Sequence, residues 1–430
     1  NEVVFADQGD KIIQMYETIL VRHTCMIVGP TGGSKSVVLD TLMRAELPAV
    51  NVKVVMFRLN PKAQTVNELY GVMDPETRDW QDGVLSKIFR TNNQPLGPNQ
   101  ENEVRWIIYD GDVDALWIES MNSVMDDNKL LTLPNGERIR LQVYCKMIME
   151  VFDLQYASPA TISRCGMVWV DPQNLGYRPY YEKWLKERCG GKMSEAETEG
   201  LDELYRQYVK QLIEFVLLGV KADGSIGSKL RLAIPVTNIN MVMQLCNTFD
   251  AYWPDTKGGD FDQADMEGTF IFSLTFSIGA ALWPEDQPIF DEFIKSLANI
   301  PMPTKSVYES FFDVESHGWE NWEDHVPQYE QPSPFVFYQI LVPTTDYVLY
   351  SDLLAHVMPT GKPMLYVGES GTAKTTTIQD YLAKLDDESF NTLNINFSSR
   401  TSSMDVQINI EANVDKRTGR IYGPPAGKKL

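Results

Sequence analysis

The chain of 430 residues is 43% hydrophobic and 23% charged, which excludes a disordered or fibrous chain and leaves room for roughly two to three globular domains. Its formal net charge of −21 argues against nucleic acid as a main partner, because phosphate contacts need clustered Lys and Arg; the plainer consequence is a soluble, self-repelling surface. Five cysteines without a CxxC pair read as reduced thiols, four histidines are too few for a His-rich metal site, and the longest apolar run, Phe270–Trp283, is too short to span a bilayer, so no membrane partner is expected.

Asp10–Val21 carries apolar residues at Ile12, Ile13, Met15, Tyr16, Ile19 and Leu20, the spacing of an amphipathic helix. Cys25–Val28 is an apolar run of strand length. It is followed by Gly29, Pro30, Thr31, Gly32, Gly33, Ser34, Lys35 and Ser36, and then by Val37, Val38 and Leu39 opening a helix. Strand, glycine-rich loop, Lys-Ser and helix, in that order, is the context of a phosphate-binding loop. Glycines let the backbone curl until several N–H groups converge on one phosphate, and the helix N-terminus adds unsatisfied N–H groups and a partial positive charge. Gly29 through Val37 are therefore the candidate nucleotide contacts, with Lys35 on the β- and γ-phosphates and the Ser36 hydroxyl on Mg²⁺. Ser34 stands where a glycine is usual. The competing reading is an ordinary glycine-rich turn.

Val52–Leu59 reads as a strand, and Asn67–Arg90 as a turn-rich insertion into a helix, with Asp74-Pro75 and Asp82-Gly83 as turn signals. Val104–Tyr109 is an apolar strand ending in Asp110, the Walker B arrangement, in which the acid holds Mg²⁺ through its water shell. The next residue is Gly111, where hydrolysing sites of this pattern carry a Glu that orients the attacking water. Asp112, Asp114 and Glu119 lie nearby and read as solvated loop or helix acids, with Asp112 or Glu119 as the alternative substitute for that Glu. Asn135-Gly136 between alternating apolar residues marks Leu130–Leu141 as a β-hairpin. Met147–Phe152 is a further strand, and Arg164 follows it, either as a surface residue or as an arginine finger serving a neighbouring nucleotide.

From about Pro172 the periodicity becomes helical, at Tyr181–Arg188, Gly200–Leu218, Asn240–Tyr252, Phe270–Ala281 and Phe290–Leu297, with Lys221–Ser228 as an exposed connection. Trp319–Pro334, rich in Trp, Glu and Pro, reads as a linker, and Tyr347–His356 as a helix. The phosphate loop then recurs. Met364–Val367 is its strand, and Gly368, Glu369, Ser370, Gly371, Thr372, Ala373, Lys374 and Thr375 form its loop, with Thr376 onward its helix. Lys374 and Thr375 repeat the Lys and hydroxyl positions, so Thr375 is a second candidate Mg²⁺ ligand, and Ala373 repeats the departure seen at Ser34. Leu393–Phe397 matches the strand Val52–Leu59, and Gln407–Gly423 is a polar, turn-bearing segment.

The expected division is an α/β phosphate-loop domain over 1–172, a mainly helical small domain over 173–318, a linker over 319–334, and the start of a second α/β domain over 335–430 that ends before any second Walker B strand. The chain begins without Met and carries no signal peptide, and it reads as a piece of a longer one.

With these residues in hand, the sequence resembles the dynein heavy chain family, tandem AAA+ ring proteins. GPTGGSKS, YDGDVDALWIESMNSVMDDNKLLTLPNGERI and ASPATISRCGMV are similar to the second AAA+ module of that ring, and LVPTTDYVLYSDLL, GESGTAKTTTI and YGPPAGKK to the start of the third. The GGSKS loop and LVPTTDYVLY lean toward the axonemal branch. The resemblance implies a P-loop AAA+ fold, a parallel sheet flanked by helices with a helical small domain after it. It implies ATP or ADP with Mg²⁺, and an ATP-driven microtubule motor as the whole protein. It implies partners among neighbouring AAA+ modules of the same chain, microtubules reached through a stalk outside this segment, and intermediate chains, light chains and other heavy chains reached through an absent tail. The expected location is the cytoplasm and cytoskeleton, in the axoneme of a cilium or flagellum. Arg164 matches the family's finger for the preceding module, the first loop is expected to hold nucleotide without hydrolysing it, and the second to be regulatory. Two other readings stay open: a purely structural nucleotide-binding scaffold, and a midasin-type giant tandem ATPase.

Overall fold

Strand β1 (Thr24–Val28) follows helix α1 (Ala6–Val21) and is buried at every position. A strand covered on both faces has no use for polar alternation, which is why TCMIV reads as a continuous run. The structure is a computed structural model describing residues 6–189, 193–254, 261–329, 331, 340–419 and 421–430, and it divides into two units, Asn1–Gly176 and Tyr177–Leu430.

In the first unit α2 (Lys35–Thr41) runs through a π-helical turn, Leu42–Glu46, into α3 (Leu47–Ala49). Then come β2 (Lys53–Leu59), α4 (Val66–Tyr70), the hairpin of β3 (Gly71–Met73) and β4 (Trp80–Asp82), α5 (Val84–Asn92) and β5 (Glu103–Asp110). After α6 (Ala115–Ile118) and α7 (Asn122–Met125) follow the hairpin of β6 (Leu130–Thr132) and β7 (Arg138–Arg140), then β8 (Cys145–Val151), α8 (Pro159–Arg164), β9 (Gly166–Trp169) and α9 (Pro172–Leu175). The insertion expected at 67–90 and the Asn135-Gly136 hairpin both form.

Five of these strands make one parallel sheet in the order β2-β5-β8-β1-β9. One face packs Ile27, Ile108 and Ile148 against Ile12, Met15, Val38 and Leu39 of α1 and α2. The other packs Met26, Ile107 and Met149 against Leu69, Phe89 and Trp117. Because β8 inserts between β5 and β1, the loop leaving β1 and the acid ending β5 flank the carboxyl end of β8, where open α/β sheets bind ligands. The fold of this unit is a parallel α/β sheet flanked by helices, as the resemblance implies.

The second unit opens with α10 (Arg178–Cys189), α11 (Glu195–Leu218), α12 (Asn238–Tyr252), α13 (Gln263–Thr275) and α14 (Gln287–Leu297) around a core that includes Tyr208, Phe249, Phe270 and Phe290. Helix α13 starts earlier and ends earlier than Phe270–Ala281, because Asp262 caps its N-terminus and the chain turns after Phe276. The segment read as a linker from Trp319 is ordered over its first part. There β10 (Ser310–Asp313) pairs with β11 (Gly318–Asn321), and Trp322 is buried against Phe272 and Phe276. Its Trp and aromatic content signals packing rather than exposure; residues 330 and 332–334 lie outside the described residues.

Helices α15 (Thr345–Val357), α16 (Lys374–Ala383) and α17 (Ser403–Glu411) and the short pair β12 (Asp415–Lys416) and β13 (Tyr422–Gly423) complete the unit. The strands expected at Met364–Val367 and Leu393–Phe397 do not form. A parallel strand is held by ladder partners on its flanks, as β1 is by β8 and β9. Leu365 and Phe397 find none among the described residues and stay 82% and 72% exposed. No helix among the described residues is long and apolar enough to cross a membrane. Cys25, Cys145, Cys165 and Cys246 are free and buried.

Candidate functional site

The first loop is squeezed between strand ends. The Gly29 N–H donates to the Val151 carbonyl of β8 at 3.1 Å, and a Cβ on Gly29 would lie 1.9 Å from the Val170 oxygen just past β9. Only a residue without a side chain passes there. The chain then curls through Pro30, Thr31, Gly32 (φ 87°) and Gly33 to Ser34, which sits at φ 65° and ψ 25° in the left-handed region. This is why glycine is usual at the sixth position, and why Ser34 holds some strain, of order 1 kcal/mol. Lys35 opens α2, followed by Ser36 and an exposed Val37.

The Lys35 ammonium folds back over the loop and donates to the carbonyl oxygens of Gly29 at 2.7 Å and Pro30 at 3.1 Å. Burial pushes its pKa down, while Glu150, Asp110 and Asp112 pull it up. A half-buried cation that donates to two loop carbonyls, beside a helix N-terminus, is a donor set suited to polyphosphate. Gln8 and Lys11 of α1 join Ser34, Val38, Val170 and Asp171 around a pocket beside the loop.

The acids come from two adjacent strands. Asp110 ends β5, and its register partner on β8 is Glu150. The Ser36 hydroxyl donates to Glu150 Oε2 at 2.6 Å. Glu150 Oε1 lies 2.9 Å from the Arg58 guanidinium of β2, which also stands 3.8 Å from both Asp110 and Asp40. Burial raises the pKa of Glu150, and the Ser36 hydrogen bond and the charges of Arg58 and Lys35 oppose that rise. The sequence reading passed over Glu150 and Arg58. Their only signal was a charge inside an otherwise apolar strand, IMEV and MFRL. Among the described residues no three His, Cys, Asp or Glu side chains converge to cage a metal. The set present, one hydroxyl and an acid at the strand end, instead suits Mg²⁺, which keeps most of its waters and takes phosphate oxygens.

Past Asp110 the Gly111 N–H donates to the Glu150 carbonyl at 3.2 Å, and a Cβ at Gly111 would lie 2.9 Å from the Asn60 amide oxygen. The neighbouring acids have other tasks. Asp112 accepts from the Phe152 N–H at 3.2 Å and faces Lys62 at 3.9 Å, Asp114 caps α6 through the Leu116 N–H at 2.8 Å, and Glu119 is exposed on a single 3-10 turn.

Arg164 closes α8, a helix capped by Ser158. Its guanidinium donates to Asp126 and, at 2.6 Å, to the Ala160 carbonyl. Its partners are thus on its own helix and on the residue after α7, not on the first loop.

The second loop repeats the backbone of the first. Gly368, Glu369 and Ser370 lead to Gly371 at φ 86°, then Thr372, then Ala373 in the left-handed region at φ 58°, then Lys374 opening α16 with Thr375 and Thr376. The Lys374 ammonium donates to the Glu369 carbonyl, five residues back as Lys35 does to Pro30, and to the Thr372 hydroxyl at 3.0 Å. This loop is far more exposed than the first, and among the described residues no acid hydrogen-bonds Thr375 as Glu150 does Ser36.

Three family models match: the "AAA domain (dynein-related subfamily)" over residues 24–165, the "Dynein heavy chain AAA lid domain" over 201–324 and the "P-loop containing dynein motor region" over 329–430. Among curated relatives, the chain is 49% identical over 440 residues to the Dynein-1-alpha heavy chain of the flagellar inner arm I1 complex from Chlamydomonas reinhardtii, with 99% of this chain covered. It is 46% identical over 439 residues to human dynein axonemal heavy chain 10 and 37% identical over 433 residues to human dynein axonemal heavy chain 2, each alignment covering 98% of this chain. The chain spans 9%, 10% and 9% of the length of these three relatives.

Proposed function

The chain belongs to the dynein heavy chain family, and from that premise we propose that it is a section of the AAA+ ring of an axonemal, ATP-driven microtubule motor. Its first site stores Mg·ATP without cleaving it, and its second loop binds ATP or ADP in a regulatory role. Its immediate partners are the neighbouring AAA+ modules. Microtubules, intermediate and light chains and other heavy chains engage parts of the protein outside these residues.

One observation supports storage over turnover. At Gly111 there is no side chain to orient water, and the Asn60 amide oxygen stands 2.9 Å from where a Cβ would be. A positioned general base contributes about 10²–10⁴-fold to rate, so its loss leaves ATP as a ligand that stabilises the folded module. Lys35 would hold the phosphates, Ser36 and Asp110 would hold the cation, and Mg²⁺, when bound, would neutralise phosphate charge. The reading of a large α/β domain, a lid and the beginning of the next module is supported by the three separate family matches over 24–165, 201–324 and 329–430.

The test is single-turnover hydrolysis in the full heavy chain with the other phosphate loops, Lys374 included, disabled by Lys→Ala. ATP recovered intact supports storage; conversion to ADP on the time scale of the motor's cycle makes the site catalytic.

A further inference from the structure

We propose that Glu150 is a positioning residue for the divalent cation of the first site, fixing the Ser36 hydroxyl so that its lone pairs face the metal. The inference rests on reading that site as one for Mg·nucleotide. A hydroxyl that gives a lone pair to a cation must send its proton elsewhere, and in this fold the proton goes to Glu150 Oε2 at 2.6 Å. The acceptor is buried and charge-paired. Glu150 lies within β8, its side chain is 2% exposed, and its second oxygen is held 2.9 Å from Arg58. Asp110 is different: its side chain is 51% exposed and only loosely paired with Arg58 at 3.8 Å, so it is free to receive the cation's water shell.

The two acids, register partners on neighbouring strands, therefore divide the work usually given to the strand-end acid alone. Asp110 meets the cation through water, and Glu150 sets the geometry of the one protein hydroxyl that touches it. Arg58 keeps the pair of carboxylates, with Asp40, from repelling each other before the cation arrives. Outer-shell partners of this kind orient the ligand and tune metal affinity without touching the metal.

The experiment titrates a fluorescent ADP analogue into the full heavy chain, with the other phosphate loops disabled by Lys→Ala, once in Mg²⁺ and once in EDTA. Glu150→Gln keeps the shape and removes the charge. It should leave affinity in EDTA within about twofold and lower affinity in Mg²⁺ by roughly 10–100-fold. Ser36→Ala should do the same, and the double variant should lose no more than the larger single loss, because both remove one coupled interaction. Parental Mg²⁺ dependence in Glu150→Gln, equal losses in EDTA and Mg²⁺, or additive losses in the double variant would each overturn the assignment. Absence of any Lys35-dependent binding in the parent chain would instead overturn the nucleotide site itself, and this role with it.

Discussion

Asn60 fills the space that a side chain at position 111 would need: its amide oxygen lies 2.9 Å from an ideal Cβ on Gly111 and accepts a hydrogen bond from the Lys62 N–H at 2.9 Å. A side chain at position 111 would therefore have to displace the Asn60 amide. Gly111→Glu must swing the Asn60 amide out and break that bond, at about 1 kcal/mol. The exchange should create a hydrolysing site, with single-turnover rates rising by up to about 10²–10⁴-fold. Asn60→Ala in the same background should recover the lost stability. Unchanged ATP lifetime in both variants would show that some other group limits cleavage.

The two left-handed or crowded loop positions should respond in opposite directions. Gly29→Ala drives a methyl into the Val170 carbonyl at 1.9 Å, and should cost at least about 3 kcal/mol in denaturant unfolding. Ser34→Gly removes left-handed strain worth about 1–2 kcal/mol, offset in part by the greater freedom of glycine in the unfolded chain, and should be neutral to stabilising. A destabilised Ser34→Gly would mean that the Ser34 side chain contributes contacts the backbone argument leaves out.

Arg164 is expected to act on the nucleotide of the preceding module, and in this structure it is tied to Asp126. Arg164→Ala should slow turnover there by about 10³-fold or more while nucleotide binding at Lys35 stays intact. Asp126→Asn, which releases the guanidinium, should leave turnover near the parental rate. Normal basal and microtubule-stimulated ATPase rates in Arg164→Ala would remove the finger assignment.

For the second loop, Lys374→Ala should empty the site in the full heavy chain. The backbone repeats that of the first loop, with Ala373 left-handed and the ammonium folded on the Glu369 carbonyl. Native mass spectrometry counts the bound nucleotides; an unchanged count would contradict the assignment.

The second unit carries a pH-sensitive contact between α12 and α15. Asp352 accepts from the Tyr252 hydroxyl at 2.7 Å and sits 3.3 Å from His356 Nδ1, whose ring stacks on Tyr252 at 4.4 Å. The hydrogen bond to Asp352 holds the His356 pKa above its ordinary value, against the effect of burial. A raised folded-state pKa means that the folded chain binds the proton more tightly. The contribution is full below the unfolded value of about 6.5 and fades as pH rises through the folded value. His356→Gln should flatten that part of the stability profile. An identical pH slope in the variant would assign it to another group.

Local sequence determined the parts whose physics is local. A glycine-rich stretch between an apolar run and a helix dictates a curled loop with Lys35 and Ser36 at the helix start, and an apolar strand ending in Asp110 dictates an acid at the carboxyl end of a strand. Asn135-Gly136 dictates a tight turn, and the lack of a carboxylate at Gly111 is visible in one letter. Repetition of the loop at Lys374 was equally legible, but its strand was not, because a parallel strand exists only through neighbours that residues 364–367 do not find among the described residues. Tertiary structure alone decided which strand inserts between β1 and β5, and with it that Glu150 meets Ser36, 114 residues away, that Arg58 serves both strand-end acids, and that Asn60 occupies the space beside Gly111. Strand order in a parallel sheet is fixed by long crossover connections and by the fit of two buried faces, and no periodicity within a single segment records it.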